Sequence, residues 1–247
     1  METHLEHVII GSVISALSTG IGALPILFFR SVTHRWRDIL LALTAGIMVA
    51  ASTFSLIPQA LSHSNLWVLC IGVLLGTAVL TLLELIVPHI DLEHSRMNVS
   101  MDTQSKLILA AITLHNLPEG LSVGVSYASG QDGLGGLIAF AIGLQNAPEG
   151  FLVALFLINQ KVSRFKAFLL ATMTGAVEIV TAMIGYSLTS FVSGLVPYGL
   201  SFAAGAMLFI VYKELIPESH GDGHERASTF SFIIGLLLMV CLIQWYG

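Results

Sequence analysis

The chain has 247 residues, of which 55% are hydrophobic and only 10% are charged, and its formal net charge is −5. Soluble globular proteins contain about 25% charged residues, so the composition excludes that class and indicates a polytopic membrane protein. The sequence contains no basic patch of the kind that binds nucleic acid, which excludes nucleic acid as a partner. Cys70 and Cys241 both lie in apolar stretches, which argues against a disulfide framework or a cysteine metal site.

Apolar stretches of about 20 residues, separated by polar breaks, have the length that a helix needs to cross a lipid bilayer. The sequence predicts eight such spans in a single domain, and therefore an all-α membrane protein. The first span is expected to be retained, because Glu2 and Glu6 replace the basic start of a signal peptide. The predicted spans cover approximately residues 7–29, 38–61, 66–88, 105–128, 134–158, 165–191, 197–218 and 228–246.

The basic residues predict how these spans are oriented. Nine of the ten Lys and Arg residues fall on one side, in the connections after spans one, three, five and seven. By the positive-inside rule that side is cytoplasmic. Both termini, and the loops around Ser64, Asp132 and Gly194, are therefore predicted to be extracytoplasmic.

Span one is rich in small and polar residues, which allow helices to approach one another closely. Helix packing explains this composition at least as well as a role in lining a pore. The residues concerned are Gly11, Ser12, Ser15, Ser18, Thr19, Gly20 and Gly22.

Spans two and seven share a pattern at a constant spacing. Residues 45–48 (Ala-Gly-Ile-Met) and 56–58 (Leu-Ile-Pro) of span two return as residues 204–207 (Ala-Gly-Ala-Met) and 215–217 (Leu-Ile-Pro), always 159 positions later. Because the two spans cross in opposite directions, the match predicts an inverted repeat of the kind found in secondary transporters. Chance similarity between two apolar helices is the alternative.

The most distinctive stretches lie in the middle of spans four and five. Residues 115–120 read His-Asn-Leu-Pro-Glu-Gly, and residues 145–150 read Gln-Asn-Ala-Pro-Glu-Gly. Each motif starts about ten residues into its span, a depth of about 15 Å in a bilayer of about 30 Å. A carboxylate at that depth costs about 2.5 kcal/mol or more, so both motifs predict a functional site.

Glu119 and Glu149 of these motifs, and Glu178 of span six, share a depth at which the sequence provides no Lys or Arg. The three carboxylates are therefore either protonated, as in a proton path, or balanced by mobile cations. His115 lies one helical turn from Glu119 on the same face, and amide side chains accompany both. This mixed set of nitrogen and oxygen donors suits Zn, Mn, Fe or Co, which favours a metal site over a proton path.

These motifs resemble those of the ZIP (Zrt/Irt-like) divalent metal transporter family, in particular its bacterial broad-specificity branch. The resemblance continues through residues 175–178 (Gly-Ala-Val-Glu) and 214–218 (Glu-Leu-Ile-Pro-Glu), and so covers essentially the whole chain. It implies eight helices in a 3+2+3 inverted repeat and a homodimer in the plasma (inner) membrane. It also implies movement of spans one, four, five and six against the other four. The expected function is transport of zinc, and of Mn, Fe, Co or Cd as further candidates, into the cytoplasm, with no catalytic cofactor and no enzymatic activity.

By position, the resemblance implies a two-metal centre and a route out of it. Gln145 departs from the commonest family pattern, which has His there, so a strict preference for zinc is not expected. One metal would be held by His115, Glu119, Gln145 and Glu149, with Met48 as an additional thioether ligand. The other would be held by Asn116, Asn146 and Glu178, with Glu119 and Glu149 bridging. The cytoplasmic exit is expected to pass Glu214, Glu218, His220, His89 and His94.

Several alternatives remain open at this stage. A proton-coupled metal exporter would use similar ligands, and the direction of net flux distinguishes it from an importer. An intramembrane metalloenzyme could hold zinc with His and Glu on one helix, although the His-Glu-x-x-His arrangement of zinc proteases is absent. Lys213 and Glu214, expected close to the inner interface, could form a purely structural ion pair, and residues 89–94 could be a solvated connector.

Overall fold

A computed structural model describes residues 2–28, 32–86, 101–221 and 223–246. Within these residues the chain is helical, and eight helices are long and apolar enough to cross a membrane. The prediction of an all-α protein with eight spans is therefore confirmed. The helices are α1 (Glu2–Ala23), α2 (His34–Ser62), α3 (Leu66–Ile86), α4 (Met101–Ala128), α5 (Leu134–Asn159), α6 (Arg164–Phe191), α7 (Ser193–Glu218) and α8 (Glu225–Tyr246).

Helices α2 and α7 each widen into one turn of π-helix just before a proline. The π-helical segments are Ser52–Leu56 and Val211–Leu215, and the next residue of each, Ile57 or Ile216, donates its N–H to a carbonyl five residues back. The proline that follows has no N–H, so the ordinary ladder of hydrogen bonds is interrupted at this point. Both helices are thus distorted at positions 159 residues apart, and such π-turns often occur at functional sites.

Helices α4 and α5 continue through their internal prolines, Pro118 and Pro148. The residues of the two motifs therefore keep helical spacing, and each motif presents its polar side chains from one helix. Each proline still leaves the carbonyl four residues earlier without its usual donor.

The eight helices pack as two groups of four. In the first group α1 packs against α5 and α6, and α4 packs against α6 and α5. In the second group α2 packs against α8, and α3 packs against α7. The two groups meet mainly where α4 contacts α7 and where α2 contacts α5. The first group is the same set of spans that the family resemblance assigns to the moving part.

Contacts within the second group follow the spacing of 159 residues. Gly46 of α2 lies so close to the carbonyl oxygen of Phe232 in α8 that a Cβ would not fit, and Gly205 of α7 lies in the same way against Val73 of α3. Gly205 is 159 residues after Gly46, and Phe232 is 159 residues after Val73. An inverted repeat requires such matched contacts. The 3+2+3 repeat stays a prediction, and these contacts favour it over chance similarity.

Polar contacts show which loops share an end of the bundle. Arg164 at the start of α6 donates to the carbonyl oxygen of Leu27 after α1, at 3.1 Å. His63 Nε2 after α2 lies 3.1 Å from the carbonyl oxygen of Ser129 after α4. We call the first end, where α1 connects to α2 and α5 to α6, the basic end, because most Lys and Arg residues cluster in its connections.

Candidate metal centre

The seven nitrogen- and oxygen-bearing side chains predicted to hold metal lie on α4, α5 and α6, and each is at most 8% exposed. Burying polar groups in an apolar bundle is costly unless they find partners. They are His115, Asn116 and Glu119 on α4, Gln145, Asn146 and Glu149 on α5, and Glu178 on α6.

One pair joins α4 to α5. Gln145 Nε2 donates to Glu119 Oε1 at 2.6 Å. The other oxygen of each side chain, Glu119 Oε2 and Gln145 Oε1, is buried and has no hydrogen-bond partner within the described part of the chain. Two oxygen atoms of the kind that bind divalent metals are therefore available on these facing helices.

A second group joins α5 and α6 through a residue of α1. Asn146 Nδ2 donates to Glu178 Oε1 at 2.8 Å, and Ser15 Oγ donates to Glu178 Oε2 at 2.6 Å. Asn146 Oδ1 has no hydrogen-bond partner among the described residues. The sequence did not single out Ser15 as a site residue, because span one reads as a packing helix.

A third group joins the centre to α7. His115 Nε2 lies 2.7 Å from Glu214 Oε2, and His115 Nδ1 lies 3.9 Å from Glu149 Oε1. Glu214 is 6% exposed. The expectation that Glu214 lies close to the inner interface is therefore corrected: it lies against the imidazole of the central motif, presented by the π-helical segment of α7.

The neighbouring residue, Lys213, faces away from this group. Its Nζ forms an ion pair with Glu84 of α3 and lies 5.3 Å from the centre of the Phe209 ring. The structural ion pair of Lys213 is thus formed with Glu84 of α3 and not with Glu214, as the alternative had it. Glu214 contacts His115 of α4 instead.

The three central carboxylates are contacted by neighbouring residues of α4 and α5. Gln145 donates to Glu119, and the adjacent Asn146 donates to Glu178. Their hydrogen-bond and charge partners are amides, a hydroxyl and the His115 imidazole. Acidic groups from three helices thus meet inside the bundle, and a divalent cation would offset their mutual repulsion.

A cavity of about 40 Å³ adjoins the cluster. Its polar lining is His115, Glu149, Glu214 and Glu218, and its apolar walls include Phe156 near the end of α5. Since α4 begins and α5 and α7 end at the basic end, the cavity runs from the middle of the bundle towards that end.

The opposite half of the bundle is closed by apolar packing. Leu56, Val123, Ile142 and Leu200, from four different helices, are fully buried in one hydrophobic cluster. The central cluster thus adjoins a cavity on one side and buried apolar side chains on the other.

The remaining predicted residues fall into different places. Met48 is 1% exposed and packs in the same apolar cluster, and its role as a thioether ligand stays a prediction. His220 is half-buried, with Nδ1 2.9 Å from the carbonyl oxygen of Ile216 at the end of α7. His89 and His94 lie outside the described residues.

Among the described residues, no three His, Cys, Asp or Glu side chains already form a compact set of metal ligands. Apart from Asn116, the donors are instead held in the three groups described above, in which carboxylates face an amide, a hydroxyl or an imidazole. A metal ion entering this centre would have to replace some of these hydrogen bonds.

Comparison with known proteins identifies the family. The family model described as "ZIP Zinc transporter" matches residues 88–243. The chain is 37% identical over 253 aligned positions to the zinc transporter GufA of Myxococcus xanthus, covering 97% of this chain and 98% of the relative. It is 34% identical to the zinc transporter ZIPB of Bordetella bronchiseptica, covering 97% and 81%. It is 35% identical over 142 positions to the zinc transporter ZIP11 of Homo sapiens, covering 55% and 42%.

These relatives are named as transporters rather than as enzymes, which removes the intramembrane metalloenzyme hypothesis. The family match covers more than half of the chain, and two relatives align along nearly all of it. Together with the eight membrane-spanning helices, these similarities show that the chain belongs to the ZIP family of zinc transporters, multi-pass membrane proteins that move divalent metal ions.

Proposed function

We propose that the chain carries zinc, and related divalent metals, into the cytoplasm through a two-metal centre at the middle of α4, α5 and α6. The observation that carries this proposal is the meeting of three buried carboxylates with an imidazole and three amides beside a cavity. This donor set is mixed nitrogen and oxygen, as zinc, iron, cobalt and manganese prefer.

The first position would take His115, Glu119, Gln145 and Glu149. Its support is the pairing of Gln145 with Glu119, which leaves a carboxylate oxygen and an amide oxygen without partners within the described residues. Zinc binds such oxygen and imidazole ligands at about 2.0–2.2 Å. When the metal leaves, the hydrogen bond between the two side chains can form again, so neither group is left unpaired in the apolar interior.

The second position would take Asn116, Asn146 and Glu178, with Glu119 and Glu149 bridging to the first. Asn146 already contacts Glu178 and keeps a free amide oxygen in the described part of the chain. The contacts of Glu119 and Glu178 with the adjacent residues Gln145 and Asn146 support a bridging role, since one cation between two carboxylates is stabilised by both.

The position of the cavity supports a metal route between the centre and the cytoplasm, which an importer would use as its exit. The cavity runs towards the basic end, which the positive-inside rule assigns to the cytoplasm, while the other half is closed by apolar side chains. Glu214 and Glu218 line this cavity and would accept the metal as it leaves the centre. His220 follows them at the end of α7.

Alternating access would come from movement of the first group of helices against the second. The packing supports this division, because contacts are extensive inside each group and fewer between the groups. The moving group would carry the proposed metal ligands together, and its displacement would close the present cavity. The homodimer implied by the family resemblance stays a prediction.

Zinc flux into liposomes that contain a metal-sensitive dye tests the site. Glu119→Ala and Glu149→Ala should each reduce the initial rate at least tenfold, because each removes a ligand proposed for both metal positions. Asp132→Ala, which removes an exposed carboxylate in the loop after α4, is the matched control and should leave the rate unchanged. If both central variants carry zinc as fast as the parent, the site assignment is wrong.

The direction of transport needs a separate measurement in whole cells. Cells that express the chain should accumulate more zinc from the medium than cells that express Glu119→Ala. A lower zinc content than in the control cells would favour the exporter instead.

A further inference from the structure

Ser15 of α1 contacts both polar groups of the proposed second metal position. Its Oγ donates to Glu178 Oε2 at 2.6 Å, and Asn146 Nδ2 lies 3.3 Å from the same Oγ and 3.3 Å from the Ser15 carbonyl oxygen. The side chain is fully buried. Helix α1 is the one member of the first group that supplies none of the proposed ligands, and Ser15 brings it into the site.

The direction of this hydroxyl differs from that of its neighbours on the same helix. Serine in an apolar helix commonly bonds to the carbonyl three or four residues earlier. Ser12 does so with Ile9 at 3.1 Å, and Ser18 does so with Ile14 at 2.9 Å. Ser15 instead donates to a carboxylate 163 residues away. Its hydroxyl therefore forms a hydrogen bond from α1 to α6 and not to the backbone of its own helix.

The backbone of α1 just after Ser15 is packed tightly against both α5 and α6. The Ala16 carbonyl oxygen would lie 2.6 Å from a Cβ on Gly175 of α6, and the Thr19 carbonyl oxygen leaves no room for a Cβ on Gly150 of α5. Gly150 follows Glu149 directly, and Gly175 lies one turn before Glu178. Small residues permit this close approach, and it places the Ser15 hydroxyl with little freedom to move.

We propose that Ser15 is a positioning residue of the second metal position and sets its metal preference. One Glu178 oxygen is held by Ser15, so the other is directed towards Asn146 and the space the metal would occupy. Residues that orient metal ligands in this way typically change metal affinity 10- to 100-fold when they are removed. The inference rests on the proposed two-metal centre and extends it to α1.

Two substitutions at Ser15 test the proposal through different measurements. Ser15→Ala removes the hydrogen bond to Glu178 and should weaken zinc binding at one of the two positions 10- to 100-fold. Ser15→Cys keeps a side chain of similar size but places a soft sulfur beside Glu178 and Asn146. Because soft ligands favour cadmium over harder metals, this variant should raise the ratio of cadmium to zinc affinity at least tenfold.

The experiment is calorimetric titration of the purified full chain in detergent with zinc alone and with cadmium alone. Ser12→Ala and Ser12→Cys are matched controls, because Ser12 is equally buried on the same helix and bonds only to its own backbone. Both controls should bind zinc and cadmium as the parent does. The inference is overturned if Ser15→Ala binds zinc like the parent, or if the Ser12 variants show the same changes.

The Glu178→Ala variant distinguishes a failure of the Ser15 inference from a failure of the proposed two-metal centre. If Glu178→Ala loses one of two bound zinc ions and Ser15→Ala loses none, the two-metal centre stands and the role of Ser15 is wrong. If Glu178→Ala binds as much zinc as the parent, the second position itself is wrong. Should Ser15→Ala fold poorly, the nearly isosteric Ser15→Cys still decides the question through its cadmium preference.

Discussion

Helices α2 and α7 have the same backbone distortion near the metal centre but carry different side chains there. Each contains a π-helical segment followed by Ile-Pro, at Ser52–Leu56 and Val211–Leu215. The fourth residue of the segment is Ser55 in α2 and Glu214 in α7, and four residues later α2 has Gln59 where α7 has Glu218. The two helices share a backbone conformation, whereas only α7 carries acidic side chains at these two positions.

The additional charged side chains lie on the side of the centre that α4 and α7 form. Glu214 reaches His115 at 2.7 Å, and with Glu218 it lines the cavity. Ser55 presents a buried hydroxyl that has no hydrogen-bond partner within the described residues. Helices α4 and α5 differ in the same way, since His115 has Gln145 as its counterpart 30 residues later. Both sides carry an asparagine and a glutamate of the central motifs; beyond these, the α4–α7 side offers an imidazole and two more carboxylates, and the α5–α2 side offers amides and a hydroxyl.

Glu214→Ala should have the largest effect, because it removes the carboxylate that contacts His115. A hydrogen bond to a charged group contributes about 1.5–3 kcal/mol, which corresponds to about a 10- to 100-fold loss in the rate of zinc flux into liposomes. Ser55→Ala, at the equivalent position of α2, should keep the rate within about twofold of the parent, since an uncharged hydroxyl contributes less. Equal losses for the two variants would contradict the asymmetry.

Ser55→Glu should have the second-largest effect, this time on stability. It places a new carboxylate on the α5–α2 side, at a buried position that holds a neutral hydroxyl, where burial in the membrane costs about 2.5 kcal/mol. A loss of that size lowers the melting temperature in detergent by about 5 °C or more. Ser62→Glu, at the exposed end of the same helix, is the control and should melt with the parent. A Ser55→Glu variant as stable as Ser62→Glu would show that this side tolerates charge.

The length and spacing of the apolar stretches were enough to predict the eight spans, because a bilayer fixes how long a crossing helix must be. The central motifs could be predicted for a similar reason, since counting residues along a straight helix gives the depth of Glu119 and Glu149. The contact of Glu214 with His115 could not be predicted. It depends on how α7 packs against α4 and on the π-helical segment that contains Glu214.

The contact of Ser15 with Glu178 is a second feature that could not be predicted from the sequence. In a stretch with many glycines and serines, composition alone does not distinguish a hydroxyl that bonds to its own helix from one that reaches a carboxylate of another. The available signal was spacing, because Ser15 lies four residues after Gly11 and seven before Gly22. That stripe indicates the face of α1 that packs closely against another helix.

Gln145→His should have the smallest effect, because it replaces one ligand with another. An imidazole in place of the amide makes the α5–α2 side more like the α4–α7 side and should strengthen the preference for zinc. We expect zinc flux to stay within a few-fold of the parent, and the ratio of zinc to manganese in protein loaded with equal amounts of both to rise several-fold. Gln131→His, in the exposed loop before α5, is the control. An unchanged ratio in the Gln145→His protein would remove Gln145 from the ligand set.

The most direct test of the central claim is the zinc K-edge X-ray absorption spectrum of the purified protein, compared with that of a Glu119→Gln/Glu149→Gln variant. The account predicts a first shell dominated by nitrogen and oxygen at about 2.0–2.2 Å, with an imidazole contribution, and a loss of most bound zinc in the double variant. The same spectrum and the same amount of bound zinc in both proteins would contradict it.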